Sequence, residues 1–197
     1  NNLKNNLRNK KIYGESRCLM VTIGILLFLL LGIYTGARRG LALQILHFIG
    51  YIISTFIAIF GYRAFSKMIE MYVPFPSYIP GTHLAIFSEG QALGMDQSFY
   101  YLFSFIVIMV VNWAIVRLIT TVIKEMIKLP IIKQFNTLGG AILGFVFHYV
   151  AIFFVLYLVA MIPTDSVQKI FEGHTLANWI VTHTPLFSGI VKMWLFS

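Results

Sequence analysis

Polar and charged residues are clustered in this chain, and between the clusters lie four apolar stretches, 20–36, 41–62, 99–116 and 141–162, none containing Lys, Arg, Asp or Glu. A hydrocarbon core about 30 Å thick is crossed by roughly 20 apolar residues of helix, and each stretch approaches or exceeds that length. In lipid a segment must satisfy its own backbone polar groups, which makes each of them a helix. With their polar ends included, the spans are expected at about 20–36, 41–62, 99–123 and 140–162. The sequence therefore predicts an all-α, polytopic membrane protein with four transmembrane helices plus short amphipathic interfacial helices.

Three connecting regions complete the pattern. The start, 1–19, is basic and rich in asparagine, with no hydrophobic period, and reads as a disordered tail. Residues 63–98 hold Pro74, Pro76 and Pro80, followed by Gly81, Gly90 and Gly94, too broken for a long helix. Within that loop Phe65, Met68, Ile69 and Tyr72 alternate with Lys67 and Glu70, which suggests a short helix over 64–72 on the membrane surface. After Pro163, Thr164-Asp165-Ser166 offers N-cap chemistry. Apolar faces follow at Val167, Ile170 and Phe171, then Leu176, Trp179 and Ile180, then Leu186, Ile190 and Trp194. Lys169, Glu172, His174, His183 and Lys192 interrupt them too often for a fifth span. The organisation is thus a tail (1–19), a four-helix membrane domain (20–163) and amphipathic C-terminal interfacial helices (164–197).

Composition agrees: 58% of residues are hydrophobic and 11% charged, against the roughly 25% charged residues of a soluble domain. The net charge of +8 would suggest nucleic acid in a soluble protein, but no basic-aromatic platform is present. It fits positive-inside topology and anionic lipid better, so membrane lipids are expected partners and nucleic acid is not. Cys18 is the lone cysteine, which leaves no intrachain disulfide and no Cys/His metal framework.

An outward N-terminus puts the Arg38/Arg39 turn and the connection bearing Lys124, Lys128 and Lys133 inside, with 63–98 and the C-terminus outside. The tail then lies on the wrong face, since Lys4, Arg8, Lys10, Lys11 and Arg17 outnumber Glu15. One resolution is that translation starts at Met20. A signal peptide ending near Thr35 and Ala37 is another reading of the first span. The immediate second apolar stretch favours a retained hairpin.

Candidate chemistry is sparse. Gly24, Gly32, Gly36 and Gly40 recur at multiples of four, the second span adds Gly50, Ser54 and Ala58, and the fourth holds Gly140 and Gly144. Small residues let helix backbones approach in lipid, either within one chain or between copies in an oligomer or pore. Arg38 and Arg39 suit an anchor to lipid phosphates, or a specific lipid or partner site. Arg117, Lys124, Lys128 and Lys133 form a second basic boundary. Asn112 is expected to hydrogen-bond across helices, and with Arg117 it opens the alternative of a polar path through the bundle. His47 and His148 lie within spans and read as buried, hydrogen-bonded histidines or, less simply, as a proton relay. No acidic residue lies in any span, which disfavours ion-coupled transport. Asn136-Thr137-Leu138-Gly139-Gly140 opens the last span. Asn136 or Thr137 could cap it, but no P-loop Lys-Ser/Thr follows. GxSxG, HExxH and paired carboxylates are missing, so neither catalysis nor a cofactor is expected.

The run Gly36-Ala37-Arg38-Arg39-Gly40-Leu41, leading to an apolar span with Gly50, resembles the CvpA family, the colicin V production proteins. The stretch Leu129-Pro130-Ile131-Ile132, then Asn136 to Gly144 through Gly139 and Gly140, is similar to that family's N-x-x-G-(G/A)-x-x-G opening of the last span. Ile162-Pro163 and Thr184-Pro185 look like the ending of Gram-positive members without a protease domain. The resemblance covers about 20–196. It implies a small bacterial inner-membrane protein, non-enzymatic, supporting toxin or bacteriocin production or envelope homeostasis. Some relatives carry a trypsin-like protease outside the membrane, which suits an extracytoplasmic C-terminus. No protease region is present in 1–197, so proteolysis is not carried over. Two alternatives stay open: a homo-oligomeric channel lined by the glycine faces, and an anchor recruiting a cytosolic or export-machinery protein through the basic 117–133 segment.

Overall fold

The computed structural model describes residues 2–76, 78–79, 81–123, 133–173, 175–185 and 187–196, without the side chains of 2–15, 123, 133 and 134. The described residues form α1 (Asn2–Glu70), α2 (Glu89–Ala92), α3 (Met95–Ile123), α4 (Lys133–Ala160), α5 (Asp165–Phe171), α6 (Leu176–His183) and α7 (Phe187–Phe196), and no strand. Among them, three helical stretches are long and apolar enough to cross a membrane: Ser16–Glu70, Met95–Val122 and Phe135–Ala160. The first, at 55 residues, is far longer than one crossing requires. Gly40, at φ 78 and ψ 167, breaks it into two arms.

Side-chain contacts set the directions. Gly40, Gly36 and Gly32 meet Asn136, Gly140 and Gly144 in turn, so the first arm runs antiparallel to α4. The second arm runs parallel to α4, with Leu41 against Gly139 and Phe48 stacked on Phe147 at 5.8 Å. It runs antiparallel to α3, from Gly50 beside Val116 to Tyr62 edge-on to Tyr101 at 5.2 Å. The four expected spans thus correspond to the two arms, α3 and α4. The Gly40 turn, the end of α3 and the start of α4 share one end of the bundle.

Most of the exposed apolar surface lies on the spans. Leu27, Leu30, Ile53, Phe56, Val110 and Leu118 are all more than half exposed, the reverse of a water-soluble protein. Lipid is the solvent these side chains fit. The tightest core sits at the other end, where Met95, Leu102, Phe153, Met161, Phe171 and Ile180 are fully buried beneath α5 to α7.

Several expectations change. α1 is helical from Asn2, where the sequence predicts a disordered tail; extending an existing helix adds one hydrogen bond per residue fixed, without a new nucleus. The separate surface helix over 64–72 is instead the continuation of the second arm to Glu70. Nothing after Tyr62 breaks the helix, and Phe65, Ser66 and Ile69 turn inward while Met68 and Tyr72 stay exposed. The C-terminal helices form, and most of the expected apolar faces turn inward: Phe171 and Ile180 are buried, and Val167, Ile170, Leu176 and Trp194 pack against the core. α5 buries Gln168 with Phe171, α6 buries Ala177, Ile180 and Val181, and α7 buries Val191 and Leu195. Trp179 and Ile190 face outward. The smaller Ala177 and Val181 let α6 approach closely, and an outward Trp suits a membrane interface. Leu186 lies outside the described residues.

Gln168 explains how this end is tied together. Its Nε2 donates to the carbonyls of Ala160 (3.0 Å) and Ile162 (2.8 Å), and its Oε1 accepts from the Ala85 N–H (2.8 Å). One buried amide thereby satisfies carbonyls left over at the end of α4 and holds the 81–94 loop against α5.

Candidate functional site

The residues singled out by sequence converge on the Gly40 end. A Cβ on Gly36 would strike the Gly140 carbonyl and come within 2.8 Å of the Gly144 Cα. One on Gly140 would strike the Gly36 carbonyl, and one on Gly144 the Gly32 carbonyl. These obstacles are backbone, which cannot rotate aside. Gly32, Gly50 and Gly139 face side chains instead, those of His148, Val116 and Leu41. Gly24 has nothing within 4 Å and lies outside the seam. Every four-residue step turns a helix face by about 40°, so a glycine eight residues before Gly32 has rotated away.

Gly40 takes a left-handed φ, and its missing Cβ leaves room for the Asn136 amide. Asn136 does not cap its own helix, because α4 begins at Lys133. Its Oδ1 accepts the Ala42 N–H at 3.2 Å and so satisfies a first-turn donor of the second arm. The cap is supplied across helices.

His47 is buried, with Nδ1 2.7 Å from the Leu43 carbonyl and Nε2 3.1 Å from Thr120 Oγ1. A carbonyl only accepts, so Nδ1 carries the proton, and a neutral ring then offers Nε2 to the Thr120 hydroxyl. His148 bonds the Gly144 carbonyl through Nδ1 at 2.9 Å and lies against Phe28. The two histidines face different helices, His47 toward α3 and His148 toward the first arm.

Asn112 departs from expectation. Its Nδ2 donates to the Ile108 carbonyl of its own helix at 2.9 Å, because that carbonyl lies one turn below it, rather than to a neighbouring helix among the described residues. Arg117 is exposed with its guanidinium 5.4 Å over Trp113, and Arg38 lies 5.7 Å over Tyr34. Arg39 is half-buried. Lys124 and Lys128 lie outside the described residues, and Lys133 opens α4 without a described side chain.

Gln44, Tyr51 and Thr120 join this end and were not singled out by sequence. A signal existed: Gly40, Gln44, His47 and Tyr51 recur at helical spacing down one face. Among the described residues, no group of three or more His, Cys, Asp or Glu could hold a metal.

Comparison with known proteins agrees with this architecture. Residues 21–185 match the family described as colicin V production protein. The chain is also 31% identical over 173 residues, covering 88% of its own length and 96% of the other, to a protein of Bacillus subtilis (strain 168) named uncharacterized transmembrane protein YshB. No solved structure matches.

Proposed function

Because this chain belongs to the colicin V production protein family, we propose that it is a non-enzymatic scaffold of the bacterial inner membrane that supports toxin production or envelope homeostasis. The observation carrying this reading is the backbone-on-backbone seam of Gly36, Gly140 and Gly144. It supports a packed bundle over a pore wall. The glycine faces that would line a homo-oligomeric channel are occupied by each other within one chain, so such a channel would have to open the seam. The positive-inside bias puts Arg38, Arg39 and Arg117 on the cytosolic face and α5 to α7 outside.

Deletion of the gene, with complementation, tests the role. Cells lacking the protein should secrete less of a co-expressed peptide toxin or become sensitive to membrane-active detergents, and the wild-type chain should restore them. A deletion strain that matches its parent in both assays removes the reading. Unitary currents from reconstituted protein would favour the channel.

A further inference from the structure

α6 and α7 are each about half as long as a membrane crossing needs. Their 8 and 10 residues rise about 12 and 15 Å, against a hydrocarbon core of about 30 Å. Contacts fix how deep they reach. Gln168 of α5 holds the Ala160 carbonyl at the end of α4, and Asn178 of α6 donates to the Phe171 carbonyl of α5. Past the other end of α6, the Thr184 and Tyr149 hydroxyls meet at 2.9 Å. Tyr149 lies eleven residues before Ala160, roughly 16 Å down α4 and close to its middle. The chain then climbs back. Phe187 packs on Phe153 and Phe154 at 6.0 and 6.2 Å, and Trp194 on Phe105 and Tyr62 at 5.5 and 5.0 Å. The Leu195 carbonyl accepts from Ser98 Oγ, near the start of α3, at 2.8 Å.

The chemistry of this segment suits hydrocarbon. No Lys, Arg, Asp or Glu occurs between Glu172 and Lys192. The polar groups of its turn are answered within the protein, as lipid requires. The Thr184 hydroxyl donates to the Ile180 carbonyl and so accepts from Tyr149. Ser188 Oγ donates to the Thr184 carbonyl at 2.8 Å, and the Phe187 N–H to the Pro185 carbonyl at 2.9 Å. Pro185 has no N–H to satisfy. Thr182 and His183, exposed near the tip, meet Oγ1 to Nδ1 at 2.6 Å, and the imidazole stacks on Trp179. Lys192 stands near the returning end of α7, where its apolar stem lets the charge reach the rim. Trp179, Ile190 and Met193 are each more than half exposed. So is Leu27 on the first arm, next to the Phe28 that packs on His148 at the depth of the turn.

We infer that α6 and α7 form a re-entrant hairpin. It enters the bilayer at the α5 end, turns at Thr184-Pro185 near mid-depth and returns, with Trp179, Ile190 and Met193 in the acyl chains of that leaflet. The segment is a membrane-binding surface rather than a pair of helices lying along the interface. It goes beyond the toxin or envelope role and does not depend on it.

Electron paramagnetic resonance of single nitroxide labels tests it, on the full-length Cys18→Ser chain in vesicles of phosphatidylcholine and phosphatidylglycerol. The labels are carried by Glu172→Cys, Thr182→Cys, Pro185→Cys and Met193→Cys, all exposed positions. Collisions with oxygen, which concentrates in hydrocarbon, and with a water-soluble nickel chelate give each label's depth. Pro185→Cys should lie about 12 Å deeper than Glu172→Cys, the rise of α6, with Met193→Cys shallower again. Equal, shallow depths at all four sites overturn the hairpin in favour of helices on the surface. Strong nickel collisions at Pro185→Cys overturn the lipid contact in favour of a water-filled recess. Weak collisions with both reagents there overturn it in favour of a second copy covering the tip. Should Pro185→Cys yield no monodisperse protein, Thr182→Cys decides alone, and a label there as shallow as at Glu172→Cys is fatal.

Discussion

Asn136 caps a helix to which it does not belong. Its side-chain oxygen takes the Ala42 N–H at 3.2 Å, while the rest of its amide fills the space that Gly40 leaves by having no Cβ. The turn and the start of α4 therefore form one unit: the left-handed residue that reverses the chain also makes room for the cap.

Asn136→Leu should destabilise the protein by about 1 kcal/mol, the usual cost of losing a cap, or more where the freed N–H stays buried. Gly40→Ala should cost at least as much, about 1–3 kcal/mol from a backbone conformation (φ 78, ψ 167) that essentially only glycine adopts, before any clash with Asn136. Because both changes strike the same contact, the double variant should be less destabilised than the sum. Reversible unfolding in mixed detergent micelles measures all three, and strict additivity would show that the two residues are not coupled.

The seam predicts a gradient among glycines that sequence alone would treat alike. Gly36→Val and Gly140→Val press side chains into backbone and should cost about 1–3 kcal/mol or prevent folding. Gly139→Ala meets only the movable Leu41 side chain and should cost less. Gly24→Leu enters open space and should fall within about 0.5 kcal/mol of wild type. Equal effects at Gly24 and Gly36 would contradict the packing.

Much of this architecture is legible in the sequence because hydrocarbon imposes few choices. Length and the absence of charge locate the spans. The glycine period announces that backbones approach, and Gly36 does meet Gly140. What the sequence could not supply is partners. Asn136 sits in a stretch that reads as the start of its own helix, and only tertiary placement reveals that it serves Ala42, 94 positions away. Trp179 and Ile190, expected on the inward faces of α6 and α7, point outward for a related reason. Apolar size marks Trp179 and Ile190 as core, yet at a lipid interface a large apolar side chain is equally at home outside. Gln168 was not singled out by sequence, because its worth depends on three backbone groups brought together by folding.

Gln168→Leu should remove those three bonds while leaving the volume nearly unchanged. With the Ala160 and Ile162 carbonyls and the Ala85 N–H left unpaired, the expected loss is about 2–4 kcal/mol, taking about 1–3 kcal/mol for each buried group and allowing some rescue by water. Hydrogen exchange should rise at 81–94 and in α5 but not at the Gly40 end. A uniform rise would indicate global rather than local unfolding.

His47 and Thr120 join the second arm to α3, whereas Asn112 spends its amide on its own helix. His47→Leu and Thr120→Val should therefore each destabilise the bundle, with a coupling of about 0.6 kcal/mol, typical of polar pairs between membrane helices. Asn112→Leu should be close to neutral. A double-variant cycle by detergent unfolding checks the first claim. Measurable loss at Asn112, with no coupling between His47 and Thr120, would instead place the polar contact between these helices on α3 one face away from where it stands.

Orientation is testable with single cysteines. Replacing Cys18 by Ser leaves no other thiol in the chain, so Arg38→Cys and Thr175→Cys can be introduced one at a time. A membrane-impermeant maleimide applied to intact protoplasts should label Thr175→Cys, which lies between α5 and α6. Arg38→Cys should react only after permeabilisation. The prediction rests on the cations of the Gly40 end: Arg38, Arg39 and Arg117 stand there without an acidic residue among the described side chains, whereas Glu70, Glu89, Asp96, Asp165 and Glu172 all sit at the other end among Arg63, Lys67, Lys169 and Lys192. Translocating the uncompensated cations is the less favourable outcome. Labelling of Arg38→Cys from outside would invert the topology and require a different account of how the chain is inserted.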